Sequence, residues 1–245
     1  MRPFLLAQLS DPHIGATWTD DDPADRLEAV VEAVRPHAPD AVLVTGDIAE
    51  HAYPREYGLA RELLRQVGAP VYALPGNHDD RAALRAAFDI PGDGPVQYAV
   101  DLGPLRLVAL DSTVPGEDRG ELDAERLEWL DGALDGRPAV VALHHPPLAL
   151  GIPPWDAIGI PAQEQAALAA VLERHPRVEA VVGGHVHRAI AGELAGRIVL
   201  SVPSTYVQAR LDFDADAIVV DSEEPAAFAL HAFVDGRLVS HVHQV

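Results

Sequence analysis

The 245-residue sequence contains no cysteine. Disulfides, thiolate metal sites and a cysteine nucleophile are thereby excluded, and any bound metal must be held by nitrogen and oxygen donors. The same absence leaves the redox compartment undecided. Basic residues are scarce: 18 Lys and Arg stand against 38 Asp and Glu, a formal charge of -20. Such a field repels nucleic acid and anionic membrane alike, so neither is an expected partner. Long apolar runs are missing too. The opening stretch is interrupted by Gln8 and passes directly into Asp11-Pro12-His13, without the length or cleavage site of a signal peptide. No later run reaches the roughly 18 to 20 residues of a membrane span, and a cytoplasmic protein is expected. Internal repeats, low-complexity tracts and interdomain linkers are absent. With 48% hydrophobic residues the chain can bury a core of its own, and one domain over residues 1–245 is expected.

What the sequence does have is a series of short polar blocks, each placed where an apolar run ends. Asp11-Pro12-His13 follows Phe4 to Ser10, Gly46-Asp47 follows Ala41 to Thr45, and Gly76-Asn77-His78-Asp79-Asp80 follows Pro70 to Leu74. His144-His145-Pro146-Pro147 follows Pro138 to Leu143, and Gly183-Gly184-His185-Val186-His187 follows Val178 to Val182. These runs read as buried strands, and helical spacing between them gives the alternation of parallel βαβ units. All the blocks would then gather at one sheet edge. Asp11 and His13, like His185 and His187, are two apart and share a direction if the backbone is extended. Gly46 allows close backbone approach, and the two oxygens of Asp47 could serve two cations. Asp79 and Asp80 are candidate N-caps of a helix starting near Arg81, whereas His78 has no such structural explanation.

Two further stretches matter. Gln97 to Asp101 and Leu105 to Leu110 flank Gly103-Pro104, a hairpin signal that implies a second, antiparallel layer of sheet. Leu148 to Ile160 carries two prolines and Trp155 without periodicity, and reads as an ordered loop walling a substrate. His241 and His243 repeat the spacing of two but lack a glycine turn. They read as structural, as do His37, His51, His175 and His231.

Asp11, His13, Asp47, Asn77, one of His144 and His145, His185 and His187 make a donor set too large for one four-coordinate zinc. With Asp47 bridging, the set divides into two sites of four. Donors of this kind suit Mn, Fe or Zn better than Ca or Mg, and paired ions suit attack on phosphate esters.

In this order, the blocks D-x-H, G-D, G-N-H-D, H-H-P-P and G-H-x-H resemble those of the calcineurin-like metallophosphoesterases, over residues 4 to about 205. The resemblance implies an α/β fold, a four-layer α/β/β/α sandwich of two mixed β-sheets flanked by helices. It implies two metal ions (Mn, Fe or Zn), one held by Asp11, His13, Asp47 and His187, the other by Asp47, Asn77, His144 and His185. His78 would be the phosphate-contacting histidine, with Asp79 orienting it as an acceptor. The family pattern is His-x-Pro with the first histidine as ligand, and Pro146 biases the backbone of His145 away from its neighbour's direction. His144 is therefore the expected ligand and His145 its support. The H-H-P-P block, Pro203-Ser204-Thr205 and the lack of an Arg-rich loop after G-N-H are similar to the bacterial class III cyclic-nucleotide and glycerophosphodiester phosphodiesterases. The implied activity is hydrolysis of a small phosphodiester, a 3',5'-cyclic nucleotide or a glycerophosphodiester, by metal-bound hydroxide. A phosphomonoesterase or nucleotidase of the same fold is the alternative, and a non-catalytic, metal-stabilised protein the competing class. A nuclease would need a basic track that this chain lacks. The oligomeric state stays open.

Overall fold

The computed structural model describes residues 2–221 and 223–245. The chain begins β1 (Phe4–Leu9), α1 (Pro23–Val34), a 3-10 turn (Arg35–His37), β2 (Ala41–Thr45), α2 (Pro54–Arg65), β3 (Val71–Leu74) and α3 (Arg81–Phe88). It continues through β4 (Tyr98–Asp101), β5 (Arg106–Ala109), a short pair β6 (Thr113–Val114) and β7 (Glu117–Gly120), α4 (Ala124–Ala133) and β8 (Ala139–Ala142). Next come α5 (Pro153–Ala157), α6 (Ala162–Arg174), β9 (Val178–Gly183), β10 (Ile190–Leu194) and β11 (Arg197–Ser201). The last elements are β12 (Gln208–Ala209), β13 (Val220–Asp221), β14 (Ala227–Val234) and β15 (Arg237–Gln244).

Two mixed sheets stack face to face. One has the order β15-β14-β1-β2-β3 and the other β10-β11-β9-β8-β5-β4. In the first, β1, β2 and β3 run parallel. In the second, β5, β8, β9 and β11 do so, with antiparallel strands added at the edges. The hairpin expected around Gly103-Pro104 forms as β4 and β5, but the layer it belongs to is not antiparallel: β5 pairs in parallel with β8, and the hairpin is only its edge. The apolar runs of β2 and β8 are buried at every position, as strands covered on both faces must be.

Leu6, Leu43, Leu74, Leu107, Val140 and Val182 interdigitate between the sheets. Helices α1 and α2 cover the outer face of the first sheet through Leu27, Val31, Tyr57 and Leu64. Helices α4 and α6 cover the second through Leu127, Leu130, Leu168 and Leu172. This is the expected four-layer arrangement. Each such leucine stabilises the fold by about 2–5 kcal/mol relative to alanine. No helix among the described residues is long and apolar enough to cross a membrane.

The polar residue that interrupts β1 fastens the sheets together. Gln8 Nε2 donates to Thr45 Oγ1 (2.9 Å) and to the Gly183 carbonyl of the opposite sheet (2.9 Å). Its Oε1 accepts from His231 Nε2–H (2.9 Å), leaving His231 Nδ1 to accept from Ser240 Oγ (2.7 Å). Burial, with His241 adding to it, pushes His231 down to about 4. The unfolded chain, with a histidine near 6.5, therefore binds more protons than the folded one between these values, so stability is lost as pH falls from 6.5 toward 4. Chemical denaturation of His231→Gln across this window is expected to show a shallower loss than the parent, by up to about 3 kcal/mol at the acid end; parallel curves would mean His231 does not titrate this way.

Candidate metal centre and its cavity

Because β1, β2, β3, β8 and β9 all end at one rim of the sandwich, the polar blocks that follow them converge there. Their local backbone is not the extended continuation that a period of two requires. Asp11, His13, Asp47, His185 and His187 all have positive φ, between 45° and 68°. The ladder between β1 and β2 runs on past the strands and holds this conformation. Asp11 N–H donates to the Gly46 carbonyl (3.1 Å), His13 N–H to Asp47 (2.9 Å) and Ile14 N–H to Ile48 (3.0 Å). The pairs Asp11/His13 and His185/His187 thus share a direction through left-handed turns rather than strand alternation. Two glycines admit the close approach: a Cβ on Gly76 would collide with the Asp47 carboxylate, and one on Gly184 with Ser10 Oγ. The Pro203-Ser204-Thr205 block buttresses the same place, Ser204 Oγ donating to the Asp11 carbonyl (2.7 Å).

Asp11, His13, Asp47, His144, His185 and His187 are all buried, and Asn77 and His78 face them. Hydrogen bonds fix the tautomers. His144 Nδ1–H donates to the Thr45 carbonyl (2.7 Å), His187 Nδ1–H to Val207 (2.7 Å) and His13 Nδ1–H to Glu50 Oε2 (2.9 Å). Each ring therefore turns its Nε2 inward. His13 Nε2 and His187 Nε2 lie 3.1 Å apart, with Asp11 Oδ1 3.7 Å from the latter. His144 Nε2 lies 3.1 Å from Asn77 Oδ1, and His185 Nδ1 lies 3.1 Å from the same oxygen. Asp47 Oδ2 stands between the two groups, 3.5 Å from His13 Nε2 and 3.3 Å from His144 Nε2. Acceptors crowded this closely need a proton or a cation between them: without an ion, protons drawn onto His13 and His144 by the carboxylates serve, and a cation in each group would replace them. Two sets of nitrogen and oxygen donors sharing one carboxylate oxygen could hold two ions. With no ion bound, burial opposes charge on His144, but the Asp47 carboxylate overrides it and raises His144 to about 9. That proton must leave when a metal binds.

His145 lies within reach of the same cluster, and its ring could join a triad with His144 and His185. Both its nitrogens are already committed: Nε2–H donates to the Asp118 carbonyl (3.1 Å) and Nδ1 accepts from Ser112 Oγ (2.9 Å). Burial, reinforced by His144, holds it neutral with a pKa near 3. It packs against His144 and His185 with ring centroids 4.8 and 4.4 Å away.

The expected contact between Asp79 and His78 is not made. The Asp79 carboxylate instead accepts from the backbone of Ile48, Ala49 and Gly76, clamping the β2 and β3 turns together. Asp80 is the N-cap of α3, accepting from Ala83 N–H (2.8 Å). The carboxylate beside His78 is Glu50, 3.4 Å from Nδ1, which also holds His13. Sequence reasoning passed over Glu50, although its place three residues after Asp47 was a signal. It also passed over Trp18, whose ring lies 4.4 Å from His13 and 6.0 Å from His187. The Leu148 to Ile160 stretch contains the one-turn helix α5, and its Trp155 meets His185 edge-on at 5.2 Å. Both indoles line a cavity of about 500 Å³ over the donors, with Ile158, Ala209, Ile218 and Val220. His241 and His243 lie on the exposed edge strand β15 and do not line the cavity.

A rim of His, Asp and Asn donors over two helix-covered mixed sheets defines a metal-dependent phosphoesterase. The model of the family described as calcineurin-like phosphoesterase matches residues 4–189, and the chain belongs to that family. It is 33% identical to a 3',5'-cyclic adenosine monophosphate phosphodiesterase, CpdA, of Pseudomonas aeruginosa, over 98% of this chain and 90% of the relative. It is 31% identical to a probable glycerophosphodiester phosphodiesterase, GpdQ, of Arcobacter nitrofigilis, over 84% of this chain and 78% of the relative. In fold it is similar to a dimetal phosphatase from Danio rerio, with a TM-score of 0.74 at 16% identity, over 100% and 97% of the two chains.

The two adjacent histidines separate experimentally. His144→Ala is expected to lower the metal content measured by elemental analysis, and His145→Ala to leave it unchanged; the reverse pattern would exchange their roles.

Proposed function

We propose that this chain hydrolyses a small phosphodiester with the help of two metal ions, which Asp47 is placed to hold in common. The observation that carries the reading is Asp47 Oδ2, one oxygen 3.5 Å from His13 Nε2 and 3.3 Å from His144 Nε2. Asp11, His13, Asp47 and His187 would hold one ion, and Asp47, Asn77, His144 and His185 the other. Mn, Fe and Zn suit such donors. When bound, the ions supply Lewis acidity to the phosphoryl oxygens and lower the pKa of water.

The remaining steps belong to the chain's own residues. His78 is fixed at its backbone, where N–H donates to Asp47 Oδ1 (2.9 Å), and its ring Nδ1 lies 3.4 Å from Glu50 Oε2. Its other ring nitrogen has no protein partner among the described residues, and it donates a hydrogen bond to the phosphoryl or leaving oxygen. His145, Ser112 and the Asp118 carbonyl hold His144 and His185 in orientation. Trp18, Trp155, Ile158 and Ile218 give one side of the cavity an apolar wall.

Charge favours a diester. No Lys or Arg lines the large cavity, and its one carboxylate beyond the donors is Asp118. Within that cavity no Lys or Arg offsets the second negative charge of a monoester. The names of the relatives point to a 3',5'-cyclic nucleotide or a glycerophosphodiester as the substrate.

With the metal-loaded protein, bis-p-nitrophenyl phosphate is expected to be cleaved with a higher kcat/KM than p-nitrophenyl phosphate. A preference for the monoester would replace this reading with a phosphomonoesterase. His78→Ala is expected to keep both ions while kcat falls about 100-fold or more, whereas Asp47→Ala loses both. One metal equivalent in a fully active sample would refute the two-ion arrangement.

A further inference from the structure

An edge strand offers a row of N–H and C=O groups to any passing strand unless something blunts it. Four strands stand at the edges of the two large sheets, and three of them are protected. β3 is four residues long, and the Tyr98 hydroxyl donates to its Ala73 carbonyl (2.8 Å). β4 is equally short and carries Asp101, ion-paired with Arg106 and Arg137. β10 has five residues and carries Glu193.

β15 has none of these devices. It is eight residues long, Arg237-Leu238-Val239-Ser240-His241-Val242-His243-Gln244, without proline, lysine or an acidic residue. Its register with β14 is unbroken from Val234–Arg237 to Ala227–Gln244, so no bulge turns the edge away. All but Leu238 are exposed, Val239 and Val242 among them. The ladder also fixes which backbone groups face outward. Arg237 and Val234 close a two-residue turn, and at the far end Val245 N–H donates to the Ala226 carbonyl (2.8 Å). In an antiparallel ladder alternate residues bond to the same neighbour. Arg237, Val239, His241 and His243 therefore bond to β14, and Leu238, Ser240, Val242 and Gln244 present their N–H and C=O groups to the outside.

Charge selects the occupant. At a formal charge of -20 a chain repels its own copies over most of its surface. Along β15 that repulsion is missing, because neither strand of a pair would bring a carboxylate against the other. An edge paired antiparallel about a two-fold axis is also self-complementary, each bond being made twice. We infer that β15 is an interface between two copies of this chain, which pair edge to edge and antiparallel with His241 on the axis. That register sets Leu238 opposite Gln244 and Ser240 opposite Val242, so all four outward residues of each strand are bonded. An axis at Ser240 leaves Gln244 without a partner in β15, and one at Val242 leaves Leu238 so. The five-stranded sheet becomes one of ten strands and loses its open edge. β15 runs parallel to β1, since both pair antiparallel with β14. In the copy both are reversed, so the two donor rims face opposite ways and each site stays open by itself.

The test is the mass of the full chain by sedimentation equilibrium, from micromolar to millimolar concentration. The unaltered protein is expected to reach twice the mass of one chain. Val242→Pro removes an outward N–H that β14 does not use, a position where edge strands tolerate proline, and the folded variant is expected to keep the mass of one chain. Because the sequence has no cysteine, a single introduced thiol reports on its own position. His241→Cys sets two thiols opposite one another where Cα atoms lie about 4.5 Å apart, and is expected to give a covalent dimer with oxidised glutathione. Val239→Cys displaces them by four residues, about 13 Å, and is expected to give none. A single-chain mass throughout, which leaves the edge to a strand of some other protein, overturns the inference. So does a double mass that persists in folded Val242→Pro, or a dimer whose His241→Cys thiols do not cross-link. If Val242→Pro fails to fold, the two cysteine variants decide.

Discussion

Most of the donor side chains stand on left-handed backbone, and the geometry of the site depends on that constraint. For residues other than glycine this region costs about 1–3 kcal/mol each, although Asp and His tolerate it better than most. Even at the low end, Asp11, His13, Asp47, His185 and His187 together require an amount comparable with a domain's net stability. Such a set persists only where the surroundings over-determine it. Here the β1–β2 ladder continues beyond the strand ends, the His185 N–H donates to the Asp11 carboxylate (3.0 Å), and Ser204 holds the Asp11 carbonyl. Each bond joins different segments of chain. The sandwich must be assembled before the donors can converge, so the site is a product of the whole fold rather than of any one loop.

The same dependence separates two residues that sequence makes look equivalent. His144 and His145 are adjacent, both buried, and both within a few ångströms of the donor cluster. What distinguishes them is where their other nitrogens go. The Thr45 carbonyl takes the Nδ1 proton of His144 and leaves Nε2 free to face Asp47 and Asn77. Ser112 and the Asp118 carbonyl take both nitrogens of His145 and leave nothing free. The Thr45 carbonyl comes from the opposite sheet, so the first histidine's tautomer is set by the packing of one sheet on the other.

Much of the architecture was legible because it rests on local pattern. Doubly buried strands read as unbroken apolar runs, helices as apolar spacing between them, and the polar blocks at strand ends in their order marked the rim. The side chains that gather at that rim could be picked out for the same reason: each follows its strand within a few residues. What pattern could not show was direction. A period of two assigns Asp11 and His13 to one side only for extended backbone, and the actual turns reach the same result through positive φ. Asp79 lies next to His78 in sequence, and adjacency suggested contact, yet its oxygens serve N–H groups of the β2 and β3 turns. Glu50 and Trp18 reach the site across loops whose course is set by tertiary contacts. The parallel pairing of β5 with β8 also joins segments about thirty residues apart, which no local hairpin signal encodes.

Charge ties these observations together. The chain carries a formal charge of -20, and the donor cluster adds two carboxylates, Asp11 and Asp47, to imidazoles that burial holds neutral at His185 and His187. Left to itself, the site would repel the phosphate esters that its geometry is shaped to receive. Two divalent ions against these two carboxylates would leave about two positive charges at the centre, the largest local charge of the molecule. On the reading proposed above, that would hold a monoanionic diester in spite of the surrounding field. Beyond the centre the field acts the other way: it opposes a dianion more strongly than a monoanion, and it favours departure of the phosphomonoester that hydrolysis leaves behind. On that reading, the acidic surface and a cavity wall without Lys or Arg would act in one direction, toward admitting a substrate with one negative charge and releasing a product with two.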